Sequence, residues 1–216
     1  MRHASIKGLA VALLAIATMA GAALAVSTTI VISEFRVRGP SGGNDEFIEL
    51  WNKSPNNVAI GGWKIRGSNS SGTVGDRATI TGGVVLGPGC YYLLTNSAAG
   101  GYSGSVPGDQ TYSTGITDDG GIALTLSDNT VVDQVGMSTG SAFKEGTPLA
   151  NLGTSNQNRS YERKPGGLNG SSLDTDNNAG DFQLITPSDP QNRAASCLAA
   201  VPVNSSTWGK IKMLYR

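Results

Sequence analysis

Residues 45–52 read Asp-Glu-Phe-Ile-Glu-Leu-Trp-Asn and alternate in character along the chain. Ile48 and Leu50 lie on one side of an extended chain and Glu49 and Trp51 on the other, because successive side chains of a strand point to opposite faces. One face is apolar and the other is mixed. The pattern predicts an antiparallel strand with one face in the core and the other in water.

More short strands are predicted on both sides of this one. Clusters of glycine, proline, aspartate and asparagine separate them, and these residues form turns. A chain of many short strands without intervening helices is typical of a β-sandwich or barrel. The further predicted strands are residues 28–38, 58–60, 63–66, 78–80, 84–86, 90–95, 122–126, 131–136, 160–163 and 181–185.

Two local irregularities are also predicted. The apolar alternation changes phase between Ile32 and Phe35, which indicates a β-bulge near residues 33–34. Asp-Asn at residues 128–129 separates two apolar runs and favours a hairpin turn.

Two Gly/Ser-rich stretches, residues 96–115 and 136–158, are predicted to be long loops. The first contains Tyr102 and Tyr112. It is either ordered by the packing of these two rings or mobile.

The N-terminus has the layout of a secretory signal peptide. Arg2 and Lys7 precede an uncharged apolar run, residues 8–24, and small residues at 23 and 25 form a cleavage site, so we expect the mature chain to begin at Val26. The alternative is a membrane-spanning helix, for which this run is short. No later segment is apolar over a spanning length, so the mature chain is predicted to have no transmembrane segment.

Charge and histidine content exclude several functions. The chain has 16 basic and 16 acidic residues, and cleavage would leave it slightly acidic, which does not favour nucleic acid as a partner. The single histidine, His3, lies in the predicted signal peptide. Histidine-dependent triads and histidine zinc sites are therefore excluded from the mature chain.

The chain has two cysteines, Cys90 and Cys197. Outside the cytoplasm such a pair is more often bridged than free, and two cysteines allow only one intramolecular bond. We expect a disulfide, with two free thiols as the alternative.

An acidic loop at residues 174–181 is the sharpest polar cluster. Asp174, Asp176 and Asn178 offer alternating oxygen ligands, which suit Ca²⁺. It is not an EF-hand loop, because its glycine comes one position late and no glutamate lies at the twelfth position. The alternative is that these side chains cap turns by binding their own backbone. Apart from this possible Ca²⁺, no cofactor is expected.

Other carboxylates are interpreted as structural, and no catalytic residues are assigned. Asp45, Glu46 and Glu49 flank or lie on one strand, where such groups are commonly solvated or paired with a basic side chain. Arg163 is expected to form a structural ion pair with a carboxylate.

The C-terminus differs from the rest of the chain. Residues 198–203 form a predicted linker, and residues 204–216 combine basic and large apolar side chains, as in amphipathic segments that lie on membranes or dock into grooves. The alternative is a frayed or core-packed end. The predicted tail anchors are Trp208, Ile211, Leu214 and Tyr215.

Together, several segments resemble the lamin-tail domain family in its secreted bacterial form. No single motif is specific, but their order and spacing are, and the resemblance spans residues 29–192. The matching segments are residues 30–34, 45–52, 58–65, 86–94, 131–136, 159–164, 174–178, 181–182 and 187–192.

The resemblance implies an immunoglobulin-like β-sandwich without known catalytic residues. The family occurs as an accessory unit beside secreted enzymes, and this chain contains no such enzymatic neighbour. The expected organisation is a signal peptide at residues 1–25, a lamin-tail-like sandwich at residues 26–197 and a linker and tail at residues 198–216.

The expected function is that of a non-enzymatic binding or structural module, secreted, periplasmic or at the cell surface. Its expected partner is a macromolecule, either a protein or an envelope component. The alternatives are a cation-dependent binder of glycan or nucleic acid, and a metal-dependent hydrolase that uses only carboxylates.

Overall fold

The computed structural model describes residues 27–198. The predicted signal peptide, residues 1–25, and the predicted anchors in the tail, Trp208, Ile211, Leu214 and Tyr215, lie outside the described residues. Within the described part, no helix has the length and apolar character needed to cross a membrane.

The described residues form twelve short strands and one four-residue helix, together with a 3₁₀ turn at Gly167–Asn169. The elements are β1 (Ile30–Arg36), β2 (Phe47–Asn52), β3 (Val58–Ala59), β4 (Lys64–Ser68), β5 (Val74–Thr79), β6 (Val85–Leu86), β7 (Tyr91–Asn96), β8 (Gln110–Tyr112), β9 (Gly121–Thr125), β10 (Val131–Gly136), β11 (Ser160–Arg163), α1 (Asn178–Asp181) and β12 (Phe182–Ile185).

The strands form two main sheets. The large sheet has the order β12-β11-β1-β2-β7-β8 and the small sheet the order β10-β9-β4-β5, while β3 and β6 form a separate two-stranded pair. All neighbours are antiparallel except β7 and β8, which are parallel. The prediction of an all-β, immunoglobulin-like sandwich is confirmed.

The core lies between the two sheets. Ile32, Leu50 and Tyr92 of the large sheet belong to the same buried cluster as Ile65 and Leu124 of the small sheet. All five side chains are almost fully buried. Burial of this apolar surface is the main force that holds the sheets together.

The local sequence signals locate most elements correctly. The register between β1 and β2 shifts between Ile32 and Glu34, as predicted for a bulge. Asn129 adopts a positive φ of 71° in the turn between β9 and β10, which confirms the hairpin. The strand β8 was missed, because its three residues show no clear alternation.

Residues 96–115, the first predicted loop, are ordered by the packing of their two tyrosines, the first of the two alternatives, and they include the strand β8. The Tyr102 ring packs edge-on against Phe47, with ring centroids 5.7 Å apart. Tyr112 is buried in the core cluster.

One expectation about β2 is wrong. Its second face was expected to meet water, yet every residue of β2 is buried. Val31, Trp51 and Tyr91 form a second apolar cluster on the outer face of the large sheet, covered by Ala195 and Leu198. Sequence alternation cannot reveal this cover, because the covering residues come from a distant part of the chain.

The cover is the chain's own C-terminal segment, residues 186–198, called the covering segment below. The expected disulfide is present between Cys90 and Cys197. The Leu198 N–H donates to the Gly89 carbonyl, 2.9 Å away. A Cβ atom at position 89 would lie 1.5 Å from the Leu198 carbonyl oxygen, so only glycine allows this approach.

We predict that the double variant Cys90→Ser, Cys197→Ser has a free energy of unfolding lower by about 4 kcal/mol. The bond closes a loop with a sequence separation of 107, and its removal gives the unfolded chain more freedom. Urea unfolding of both proteins measures the difference. Dithiothreitol should destabilise the wild type and leave the double variant unaffected, whereas equal stability of the two proteins in the absence of reductant would contradict the prediction.

Candidate functional site

A buried cluster of charged side chains surrounds Arg163, the last residue of β11. Arg163 points between the sheets, on the same face as Tyr161 in the core. Its Nη2 lies 2.8 Å from both carboxylate oxygens of Asp133, and its Nε donates to the Ile32 carbonyl at 3.0 Å. The expected structural ion pair of Arg163 is thereby identified.

Two further carboxylates approach the same guanidinium. Arg163 Nη1 lies 3.5 Å from Oδ1 of Asp174 and 4.0 Å from Oδ2 of Asp181. The guanidinium also lies over the Phe182 ring, 4.5 Å from its centroid. One cation thus faces three carboxylates in a site without solvent exposure.

The three residues predicted to bind Ca²⁺ differ from one another in their surroundings. Asn178 is fully buried, and its Oδ1 accepts hydrogen bonds from the N–H groups of Gly136 and Glu145. Its Nδ2 donates to the Gln134 carbonyl and to Oε2 of Glu145. The Asn178 side chain is therefore occupied by protein partners.

The rest of the loop shows turn-capping contacts. Asp181 accepts hydrogen bonds from the N–H and hydroxyl of Thr175 and from the N–H of Asn177. Oδ2 of Asp174 accepts the Ser27 N–H at 2.7 Å, and Asp176 has a positive φ of 57°. These contacts match the turn-capping alternative, and Ca²⁺ binding by Asp174, Asp176 and Asn178 together stays a prediction.

The structure brings together a different acidic set. Asp133, Glu145 and Asp174 each offer a carboxylate oxygen, and these three atoms lie within 4.8 Å of one another. Sequence reasoning missed Asp133 and Glu145, because they are distant from the 174–181 loop along the chain. One signal in the sequence could have identified Asp133, because it is an aspartate at a core-facing position of the apolar strand β10.

Burial and mutual repulsion both act on the carboxylates of this set. Burial raises the pKa of Glu145 to about 9, with added contributions from the charges of Asp133 and Asp174. Burial also raises the pKa of Asp133, although Arg163 opposes the shift. Repulsion and desolvation therefore favour an added proton or an added cation here.

A second group of carboxylates lies on the outer face of the large sheet. Glu34 of β1 is directly opposite Glu49 of β2 and Glu162 of β11. The hydroxyl groups of Ser33 and Ser160 donate to Glu49 and Glu34 respectively. Like charges opposite one another destabilise a sheet unless a proton is shared or gained.

The covering segment closes off this second group. Its Asp189 and Gln191 N–H groups donate to Glu34 and Glu49, both only 1% exposed. Burial raises the pKa of Glu34 to about 8 and that of Glu49 well above its usual value. Two facing carboxylates of raised pKa are one requirement of an acid–base enzyme, and here both lie buried beneath the covering segment.

The carboxylates before β2 are also inside the protein. Asp45 forms a buried ion pair with Arg36. Glu46 accepts hydrogen bonds from Asn96, Tyr112 and the Ile116 N–H. Asp45 is thus paired with a basic side chain, as expected. Neither Asp45 nor Glu46 is solvated, so that part of the expectation is wrong.

Comparison with protein families places the chain beside a known family. The model described as Lamin Tail Domain matches residues 24–139, more than half of the chain, and this span includes β1 to β10. It confirms the resemblance noted in the sequence. The strands β11 and β12 lie beyond the matched span yet complete the large sheet. A comparison with curated proteins gives no match.

We predict that Arg163→Ala lowers the free energy of unfolding by about 4 kcal/mol, because it leaves buried carboxylates without their cation. Arg163→Lys should fall between this variant and the wild type, since an ammonium cannot make the same contacts. The control is Arg66→Ala, which removes a partly exposed pair with Asp76 and should cost less than about 1 kcal/mol. Urea unfolding of the four proteins provides the measurement. Similar losses for the two alanine variants would contradict the prediction.

We also predict that stability falls as pH rises from about 4.5 to about 8. Folded Glu34 keeps a proton that the unfolded chain releases near pH 4.5, so alkali favours the unfolded state until the folded pKa of about 8 is passed. Glu46, whose pKa is raised to about 7 mainly by burial, acts in the same direction. Glu34→Gln should flatten the dependence.

Urea unfolding at pH 5, 6.5 and 8 tests this pH dependence. The wild type should lose a few kcal/mol across the range, and Glu34→Gln should lose less. A free energy of unfolding that is constant or rises with pH would show that these carboxyls are ionised in the folded protein.

Proposed function

Because the chain belongs to the lamin tail domain family, we propose that it is an exported, non-catalytic module that binds another macromolecule or forms part of an envelope assembly. The observation that carries the proposal is the family match, since the family is immunoglobulin-like and non-catalytic. The protein's partner is a protein or envelope component.

The geometry of the carboxylates supports a non-catalytic role. Glu34 and Glu49 are the facing pair that a carboxylate-only hydrolase would use, and both are buried beneath the covering segment. Their oxygens accept hydrogen bonds from Ser33, Ser160 and backbone N–H groups of that segment. These side chains fix a segment of the chain rather than face a cleft.

Export is supported by the disulfide and by the N-terminal sequence. A bond between Cys90 and Cys197 persists in oxidising compartments, such as the periplasm or the cell exterior. The charged and apolar order of residues 1–25 is typical of a cleaved signal peptide.

The alternative of a cation-dependent glycan or nucleic-acid binder receives less support. Glycan binding commonly uses exposed aromatic rings, whereas Phe182, which follows the 174–181 loop, is buried under Arg163. Nucleic acid would need a basic stripe, and the chain carries equal numbers of acidic and basic residues.

The tail, residues 204–216, is proposed to provide surface retention. It contains Trp208, Ile211, Leu214 and Tyr215 together with Lys210, Lys212 and Arg216, a composition that suits an anionic membrane surface or a partner groove. The family match ends well before it, and the disulfide at Cys197 closes the sandwich upstream of it.

Expression of the full chain and of a chain ending at residue 203, in a bacterium with a secretory pathway, tests the proposal. The full chain should be exported, begin at Val26 and be retained at the cell surface. The shortened chain should be exported with the same N-terminus and an unchanged melting temperature, but should be released into the medium. A matched control carries Trp208→Ala alone and should show partial release, because an aromatic side chain carries much of a docking energy.

Two results would contradict the proposal. A full chain that stays in the cytoplasm with Met1 in place would refute export. A large fall in melting temperature on removal of residues 204–216 would show that the tail belongs to the core.

A further inference from the structure

The starting observation is the convergence of three buried carboxylates from separate parts of the chain. Asp133 lies on β10, Glu145 lies in the loop that follows β10, and Asp174 begins the acidic loop before α1. They are 1%, 3% and 9% exposed. One oxygen of each lies within 4.8 Å of an oxygen of the other two.

These separations suit a single metal ion. Calcium binds oxygen ligands at about 2.3–2.6 Å, so two oxygens that share one ion can be no more than about 5 Å apart. Carboxylates also repel one another at such distances when no cation separates them. The three groups come from distant positions along the chain, so their approach is a feature of the fold and not of one acidic stretch.

The nearby basic groups leave part of this set unbalanced. Nη2 of Arg163 is engaged by Asp133, while Nη1 donates to the Leu173 carbonyl and lies 3.5 Å from Asp174. Across residues 27–198, no lysine or arginine nitrogen lies within 4.0 Å of the Glu145 carboxylate. The charge of Lys53 also acts on Asp174 and Asp133, but Lys53 forms no ion pair with either of them. Within the described part of the chain, Glu145 is thus the carboxylate of the three without a basic partner.

An independent observation concerns one oxygen of Asp174. Its Oδ2 accepts the Ser27 N–H, but its Oδ1 is buried and has no hydrogen-bond partner. Nine-tenths of the residue is buried, and Oδ1 faces Arg163 Nη1 at 3.5 Å in an ion pair that is not a hydrogen bond. A bound ion or water molecule accounts for a buried acceptor of this kind.

We propose that Asp133, Glu145 and Asp174 bind one Ca²⁺ ion. Calcium is a hard cation that takes six to eight oxygens, and backbone carbonyls or water would complete the shell around the three carboxylates. Magnesium fits less well, because it demands a strict octahedron and keeps most of its water. The proposal is independent of the function proposed above.

Asn178 has a different role from the one its sequence position indicated. It donates to Oε2 of Glu145 and accepts the Glu145 N–H, so it fixes both the side chain and the backbone of that ligand. It is a positioning residue. The ion would then join β10, the loop after it and the 174–181 loop at one point.

Calorimetry and thermal unfolding of the exported protein test the site. The protein is first treated with a chelator and then titrated with CaCl₂. The wild type should release or absorb heat with saturation at or below millimolar Ca²⁺, and its melting temperature should rise by about 5 °C, because the ion binds only the folded state. An equal concentration of MgCl₂ should give a smaller rise.

The variants distinguish whether the three carboxylates bind a cation or only a proton. Glu145→Gln keeps an oxygen able to accept from Asn178 and resembles a protonated glutamate, so it should fold and lose the response to Ca²⁺. Asp174→Asn can still accept the Ser27 N–H and should also lose the response. Asp128→Asn changes an exposed aspartate in the β9–β10 turn and should respond as the wild type does.

Absence of heat and of a melting shift in the wild type at millimolar Ca²⁺ would overturn the proposal. An undiminished response of Glu145→Gln would overturn it as well, and this result decides the matter even if Asp174→Asn does not fold. A shift with Mg²⁺ as large as that with Ca²⁺ would refute the assignment to calcium.

Discussion

The contact between Arg163 and Asp133 is the constraint on which the rest of the structure depends. Arg163 belongs to the large sheet and Asp133 to the small sheet, so their bond joins the two layers inside the sandwich. The same guanidinium also donates to the carbonyl groups of Ile32 and Leu173. In a site of low polarity an ion pair tolerates little displacement, because either partner alone would remain a bare buried charge. The pair therefore fixes how the sheets face each other, whereas apolar packing supplies most of the energy.

Buried carboxylates hold loops and segments of this protein in place through hydrogen bonds and ion pairs. On the inner side, acidic groups gather around Arg163 and secure the 174–181 loop. On the outer side, Glu34 and Glu49 hold the N–H groups of the covering segment. Both arrangements carry a cost of desolvation, which appears as raised pKa values. The inner group differs in that one oxygen from each of three carboxylates lies within 4.8 Å of the other two, which is why a cation is proposed there and not on the outer face.

The sequence predicts the fold well and the acidic site poorly, and the reason is the range of the interactions. Alternation and turn chemistry are local, so most strands, the bulge at β1 and the hairpin at residues 128–129 were predicted correctly, whereas the short strand β8 was not. The cover over β2 depends on a segment more than a hundred residues away and was not predicted. Asp174 was identified because its neighbours along the chain are acidic. Asp133 and Glu145 were not, because only the sandwich brings them beside it.

Native-state hydrogen exchange of the Ile32 amide tests the central claim most directly. This N–H donates to the Asp133 carboxylate, at the point where the two sheets are joined. If the buried pair with Arg163 holds the layers together, the amide should exchange only when the whole domain unfolds. Its free energy of exchange should then equal the global free energy of unfolding. Exchange as fast as that of an exposed loop amide without a hydrogen-bond acceptor would show that the sheets separate locally at Asp133, and would contradict the account.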